Sequence, residues 1–229
     1  MISSDIGKGA YSKREAARIL GISPAMLQRW VDGYHYEHKD RQVSQNPLWR
    51  AQYDQREDEP VIGFRDLIEA RTVRDLKKLG FGLPTIRMCL KTAADIAGDP
   101  HPFSTKKLKT DGNRLYLEMV ADDGATSVID LKTRQHAFAK FIERTFLDLE
   151  FEDGIATRWW INPKKRTLVI DPERSFGQPI TNEFGIPTYR LAQAVKAEGS
   201  EAKVARLFGI ERSVVTDAVK FEHGLHKAA

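Results

Sequence analysis

The stretch that decides the reading of this chain lies near its start: YSKREAARILGISPAMLQRWVDGY, residues 11–34. Ser12 stands three residues before Glu15, the spacing of a helix start whose serine caps and whose glutamate reaches back. Ala16, Ala17, Ile19 and Leu20 give that helix an apolar side, and Gly21 ends it. Ser23 followed by Pro24 opens a second helix, because the N–H that proline lacks has no helical partner at the first position anyway. Met26, Leu27, Trp30 and Val31 supply its apolar stripe, and Gly33 closes it. Two short helices joined at a glycine make a helix-turn-helix corner. There a small residue lets the helices approach, Gly21 takes the left-handed backbone of the turn, and Ile22 plugs the angle between them.

The same corner recurs 188 residues later. Ala17-Arg18-Ile19-Leu20-Gly21-Ile22 aligns with Ala205-Arg206-Leu207-Phe208-Gly209-Ile210, four positions identical and two apolar in both. The copies differ in what they offer a partner. On the first, Ser23, Ala25, Gln28 and Arg29 fall on the outer side of the second helix, with Lys13, Arg14 and Arg18 on the supporting helix. Gln and Arg can form paired hydrogen bonds with base edges, and cations neutralise phosphates. The second copy sets Glu211, Asp217 and Glu222 around Arg212 and Lys220, and carboxylates facing a polyanion are costly. The first copy is expected to read DNA, the second to hold a protein.

Between the corners, residues 34–60 are aromatic, then basic, then acidic, and read as an irregular or hairpin-like surface segment. Phe64 to Leu79 and a run opening at Pro84 are helical by apolar spacing. After Pro100 and Pro102 the pattern changes. Arg114 to Val120 and Thr126 to Leu131 are strand-like around the turn Asp122-Asp123-Gly124, and Phe138, Phe141, Ile142 and Phe146 fit an amphipathic helix. Ile155 to Ile161 and Thr167 to Ile170 are further strands. Thr188 is expected to cap a helix to about Glu198, Ser200 a second, and a third runs from about Arg212 to Glu222 with a frayed tail from Leu225. The chain is therefore α+β: an N-terminal winged helix-turn-helix domain over 1–98, a central small mixed α/β hairpin region over 99–172, and a C-terminal helix-turn-helix bundle over 173–229.

At 229 residues, 41% hydrophobic and 9% aromatic, the chain has the composition of folded domains and not of a disordered one. No apolar run reaches the roughly 18 residues of a membrane span. Met1 to Gly9 is polar, which predicts a cytoplasmic protein that does not engage a membrane. One cysteine, Cys89, excludes an intrachain disulfide and a multi-thiolate metal site. The net charge of +4 divides as +3, −1 and +2 over 1–98, 99–185 and 186–229, a mild basic bias compatible with a nucleic-acid surface. No nucleophile elbow, phosphate loop or His-Glu-x-x-His motif occurs, so the chain reads as no enzyme, with no cofactor and no metal.

Residues 11–34 resemble the N-terminal winged helix-turn-helix of the MerR family, and FRDLIEARTVRDLKKLGFGLPTIRMCL, residues 64–90, is similar to that family's third and fourth helices. Asp171-Pro172, Gly177-Gln178-Pro179, Gly185-Ile186-Pro187-Thr188 and Glu198-Gly199, leading to Ala218-Val219-Lys220-Phe221-Glu222, resemble the domain-of-unknown-function family numbered 433. The combination looks like the longer VapB-type antitoxins with a MerR-like front end. That resemblance implies a PIN-like ribonuclease toxin encoded by the adjacent gene, repression of the shared promoter, and a homodimer. Two departures stand out. Gln28 replaces the family's usual arginine before Arg29-Trp30, and the long dimerisation helix with metal-binding cysteines is absent, so metal sensing does not carry over.

For several residues two readings stand side by side. Lys13, Arg14 and Arg18 are phosphate anchors or a solvated polar face. Tyr34, His35, Tyr36, His38, Lys39 and Arg41 form a wing on DNA or an aromatic surface loop. Trp159 and Trp160 face opposite sides of a strand, so one is buried and the other is covered or is a partner contact. Arg206, Arg212 and Lys220 are candidate partner contacts, and Lys164-Lys165-Arg166 reads as a solvated turn. The leading expectation is a DNA-binding antitoxin and autorepressor acting on its own double-stranded promoter. The alternatives are a free-standing transcriptional regulator and a protein-interaction adaptor that binds no DNA.

Overall fold

The structure, a computed structural model, describes residues 8–38, 41–53, 61–107 and 128–228. The expected strand at 114–120, the turn at 122–124, and residues Lys39 and Asp40 lie outside the described residues.

A two-residue strand β1 (Tyr11–Ser12) leads into helix α1 (Lys13–Leu20), whose N-cap Ser12 accepts from the Glu15 N–H. Helix α2 (Pro24–Asp32) starts at Ser23, which accepts from the Met26 N–H. Strands β2 (Tyr34–His38) and β3 (Arg41–Gln45) form an antiparallel hairpin, which is the wing, and β4 (Val61–Ile62) pairs with β1. Helices α3 (Phe64–Lys78) and α4 (Leu83–Ala97) follow. Both corners end in the same αL cap. Gly21 and Gly209 have φ of +63° and +66°, and Ile22 and Ile210 donate back to the Ala17 and Ala205 carbonyls at 3.0 Å each. The echo in sequence is an echo in backbone.

Helix α5 (Val128–Leu147) contains residues 128–131, which the sequence reading assigned to a strand. No Gly or Pro interrupts 128–147, and helix propagation adds a hydrogen bond per residue once nucleated, so the helical pattern of 138–146 extends backward. Four strands then make one antiparallel sheet in chain order: β5 (Leu149–Glu152), β6 (Ile155–Trp160), β7 (Leu168–Ile170) and β8 (Pro179–Thr181). β5 and β8 carry no long alternating pattern. β8 is recruited by pairing with β7, so the sheet crosses the boundary expected at 172–173.

Helices α6 (Thr188–Glu198), α7 (Glu201–Phe208) and α8 (Arg212–Ala228) form the C-terminal bundle. Thr188 is not a cap: Pro187 occupies that position, and the Thr188 hydroxyl donates to Glu222 instead. The tail expected to fray from Leu225 continues as helix, because Leu225 is buried.

The core is continuous from the first helix pair to the sheet. Tyr11, Leu20, Leu27, Trp30, Phe64, Leu67, Phe103, Phe138 and Trp159 belong to one cluster, and Leu191, Val204, Val215 and Ala218 to a second under the bundle. Tyr11 is wholly buried and donates to the Gly177 carbonyl at 2.8 Å, tying the N-terminal strand to the Gly-Pro segment. A side chain at Gly177 would place its Cβ 2.2 Å from the Tyr11 hydroxyl, so glycine is required there. α1 packs on α8, where Arg18 pairs with Glu222 at 2.7 Å.

Candidate nucleic-acid interface

The first corner builds an outward face by burying its apolar stripe. Leu27, Trp30 and Val31 of α2 turn into the core, so Ser23, Ala25, Gln28 and Arg29 face solvent. Ala25, Gln28 and Arg29 are three and four residues apart and share one side of the helix. The Arg29 guanidinium lies 5.7 Å from the Tyr34 ring centroid, and Tyr34 sits beside Tyr36 at 5.8 Å. A cation leaning on an aromatic face loses rotamer freedom before any partner arrives. The exposed helix and the wing thus form one continuous surface joined by Arg29 and Tyr34.

The wing's angle is set at its base. Gly33 has φ +77°, and a Cβ there would come within 2.2 Å of the Gln45 carbonyl oxygen. Arg87 of α4 donates to the carbonyls of Asn46 and Pro47 at 2.8 Å each, and Leu48 N–H donates to the Trp30 carbonyl at 2.8 Å. The hairpin is therefore held to both α2 and α4. Arg41 opens β3 opposite His38.

The supporting helix divides three ways. Arg14 is exposed. Lys13 is spent on Asp32, at 2.6 and 2.7 Å, which ties the start of α1 to the end of α2. Arg18 points away from the α2–wing face and into the seam with the C-terminal bundle, where the Glu222 carboxylate, 3% exposed, also accepts from Thr188.

The second corner differs from its expected charge pattern. Glu222 is buried in the seam, and Asp217 accepts from Asn162, Thr167 and Lys165, tethering α8 to the β6–β7 turn. Of the three carboxylates thought to repel a polyanion, only Glu211 is exposed. What the copy displays is apolar. Leu207 is 68% exposed and Phe208 37%, whereas their counterparts Ile19 and Leu20 are 4% and 2% exposed in the first domain's core. Arg206, Arg212 and Lys220 are also exposed.

Trp159 and Trp160 are both buried, at 9% and 5% exposure, so neither offers a contact surface. They do lie on opposite faces of the sheet. Trp159 joins the main core beneath the Arg71 guanidinium, 4.7 Å away. Trp160 packs with Val169 and Ile180, donates to Glu150 at 3.0 Å and is capped by Arg166 at 5.0 Å. Lys165 and Arg166 of the expected solvated turn are thereby engaged.

A buried polar network stabilises the base of the N-terminal domain and left no sequence signature. Asp66 is wholly buried and accepts from Trp49 Nε1, from the Gln52 and Gly63 N–H groups, and lies 2.9 Å from His101 Nε2. Glu69, also wholly buried, takes the Phe103 and Ser104 N–H groups on one oxygen and leaves the other without a partner. Burial pushes its pKa well above the ordinary carboxylate range against the pull of those two N–H groups. Among the described residues no cluster of His, Cys, Asp or Glu is arranged to hold a metal ion, and no helix is long and apolar enough to cross a membrane.

Residues 9–90, which contain the whole of this surface, match the family described as "Putative DNA-binding HTH domain". Along 220 residues the chain is 24% identical to "Putative antitoxin VapB45" of Mycobacterium tuberculosis (strain ATCC 25618 / H37Rv), spanning 91% of this chain and 92% of that protein. The fold matches the X-ray crystal structure of Rv2018 from Mycobacterium tuberculosis with a TM-score of 0.70 at 22% identity, covering 91% of this chain and 96% of that one.

Proposed function

We propose that this chain is a cytoplasmic, non-catalytic antitoxin of the VapB type that reads its own promoter through the first helix-turn-helix corner and neutralises a PIN-like ribonuclease encoded beside it. The observation that carries the reading is the single surface formed by α2 and the wing. α2 enters the major groove with Ser23, Ala25, Gln28 and Arg29 toward base edges, in the manner of a MerR-like winged domain. Tyr34 and Arg41 bring the wing to the backbone, and Lys13 and Arg14 flank it. A homodimer doubles this surface onto two half-sites.

The similarity to "Putative antitoxin VapB45" along nine-tenths of the chain supports the second half of the reading. In this account residues 1–98 read DNA, and the 173–229 module, which resembles family 433, holds the toxin. Leu207 and Phe208 supply exposed apolar anchors there, and Arg206, Arg212 and Lys220 are exposed cations of the same two helices, α7 and α8. Neutralisation is steric, with the bound chain covering the nuclease's acidic site.

Co-expression with the adjacent gene's product tests this directly. The account predicts that the pair co-purifies, that cells survive induction of the toxin only with this chain present, and that a promoter reporter falls when the chain is supplied. Toxicity unaffected by the chain, with no co-purification, contradicts it.

A further inference from the structure

One cavity has a larger net positive charge than the whole molecule. It opens between α3, α5 and the β6–β7 turn with a volume of about 970 Å³, and Arg71, Arg74, Lys78, Lys140, Arg144, Lys164 and Arg166 line it against only Asp75 and Asp148. That is seven cations and two carboxylates in one cleft of a chain whose total is +4. Unlike a solvated basic face, these cations surround a concavity, where low-dielectric walls focus the field on whatever enters.

Several of the cations are already placed. Arg71, 4% exposed, donates through Nη2 to Asp148 at 2.5 Å and rests over Trp159, yet among the described residues its Nη1 has no hydrogen-bond partner. A buried guanidinium N–H left unpaired carries a desolvation cost that an incoming oxyanion relieves. Arg74 is fixed by Asp75 and by the Leu20 carbonyl at 2.9 Å. Burial pulls the Arg71 pKa down and pushes that of Asp148 up, each opposed by attraction to the other. Lys78, Lys140, Arg144 and Lys164 are exposed around the mouth, and Arg144 also attracts the Asp148 carboxylate. The walls between the cations are apolar: Leu79, Phe141, Pro163 and Leu147, the last 62% exposed.

We propose that this cleft is a binding site for a free nucleotide carrying two or three phosphates, with the phosphates among Arg71, Arg144, Lys140 and Lys164 and the organic part against Leu79, Leu147 and Pro163. A multiply charged phosphate chain matches the surplus of guanidinium and ammonium groups, and arginines bind phosphate oxygens through paired donors. The volume suits a drug-sized or nucleotide-sized molecule, and the mixed lining favours an anion with an apolar body over a bare inorganic ion. The site lies outside the α2–wing surface and does not rest on the DNA reading.

Isothermal titration calorimetry of the full chain with ATP and with adenosine, at low and at raised salt, tests the proposal. ATP is expected to bind saturably and to weaken as salt rises, and adenosine is expected not to bind. Arg144→Ala combined with Lys164→Ala removes two exposed cations without touching the core and should weaken ATP about tenfold or more. Lys91→Ala with Lys106→Ala removes the same charge elsewhere on the surface and should leave ATP affinity within about twofold. Absence of saturable ATP binding, equal binding of adenosine, or equal losses in the two double variants would each overturn the site.

Discussion

Arg29 and Arg18 sit eleven residues apart on the same helix pair, and the structure gives them opposite tasks. Arg29 leans on Tyr34 at an open face, so Arg29→Ala should leave thermal stability unchanged and weaken DNA binding by about 1–3 kcal/mol, read by anisotropy titration. Arg18 neutralises a buried carboxylate across the seam, so Arg18→Ala should lower unfolding free energy by about 1–3 kcal/mol in a urea titration and leave the salt dependence of DNA binding as it was. Nothing in the local pattern distinguishes the two arginines, because the partner that claims Arg18 is 204 residues away. Glu69 makes a pH prediction. Its folded pKa is raised by burial, so the folded chain holds the proton more tightly than the unfolded one. Its contribution is therefore most favourable below the unfolded value of about 4.3 and is lost as pH rises toward the raised folded value. Glu69→Gln keeps an acceptor for Phe103 and Ser104 and should flatten the decline in stability as pH rises above about 4.

At the scale of elements, capping and corner chemistry were legible and long-range pairing was not. Ser12, Ser23 and Ser200 cap as their spacing predicts, and Gly21 and Gly209 adopt the turn conformation the motif demands, because those signals act within four residues. β5 and β8 were not legible, since each exists by pairing with a neighbour in the sheet and carries no alternating run of its own. Thr188 looked like a cap because its use lies in Glu222, on a different helix. The wing depends on one residue at its base. Gly33→Ala should cost at least about 1–2 kcal/mol from the left-handed backbone alone, and the clash with Gln45 adds to it, visible as a lower Tm and weaker DNA binding together. For the second corner, Leu207→Asp with Phe208→Asp should leave stability within about 0.5 kcal/mol, since both are exposed, and abolish co-purification with the toxin.

Across the whole molecule the two corners are one assembly. α1 rests on α8, Tyr11 reaches Gly177, and Arg71 reaches Asp148, so the first helix pair is anchored on the sheet and on the C-terminal bundle. Composition and motif order indicated the α+β class and the front helix-turn-helix. They did not indicate that a continuous core would join the front domain to the sheet, nor that a cation-lined cleft would open beside it, because the core draws on residues from Tyr11 to Ile170 and the cleft on residues from Arg71 to Arg166. The central claim is that the α2–wing surface reads sequence. Fluorescence anisotropy of the full chain with its own upstream duplex and with a scrambled duplex, each at two salt concentrations, tests it most directly. The account predicts tighter binding to its own duplex, with affinity falling as salt rises and the preference lost in Arg29→Ala. Equal affinity for both duplexes, or none for either, contradicts it and leaves the first corner a protein scaffold, the role proposed for the second.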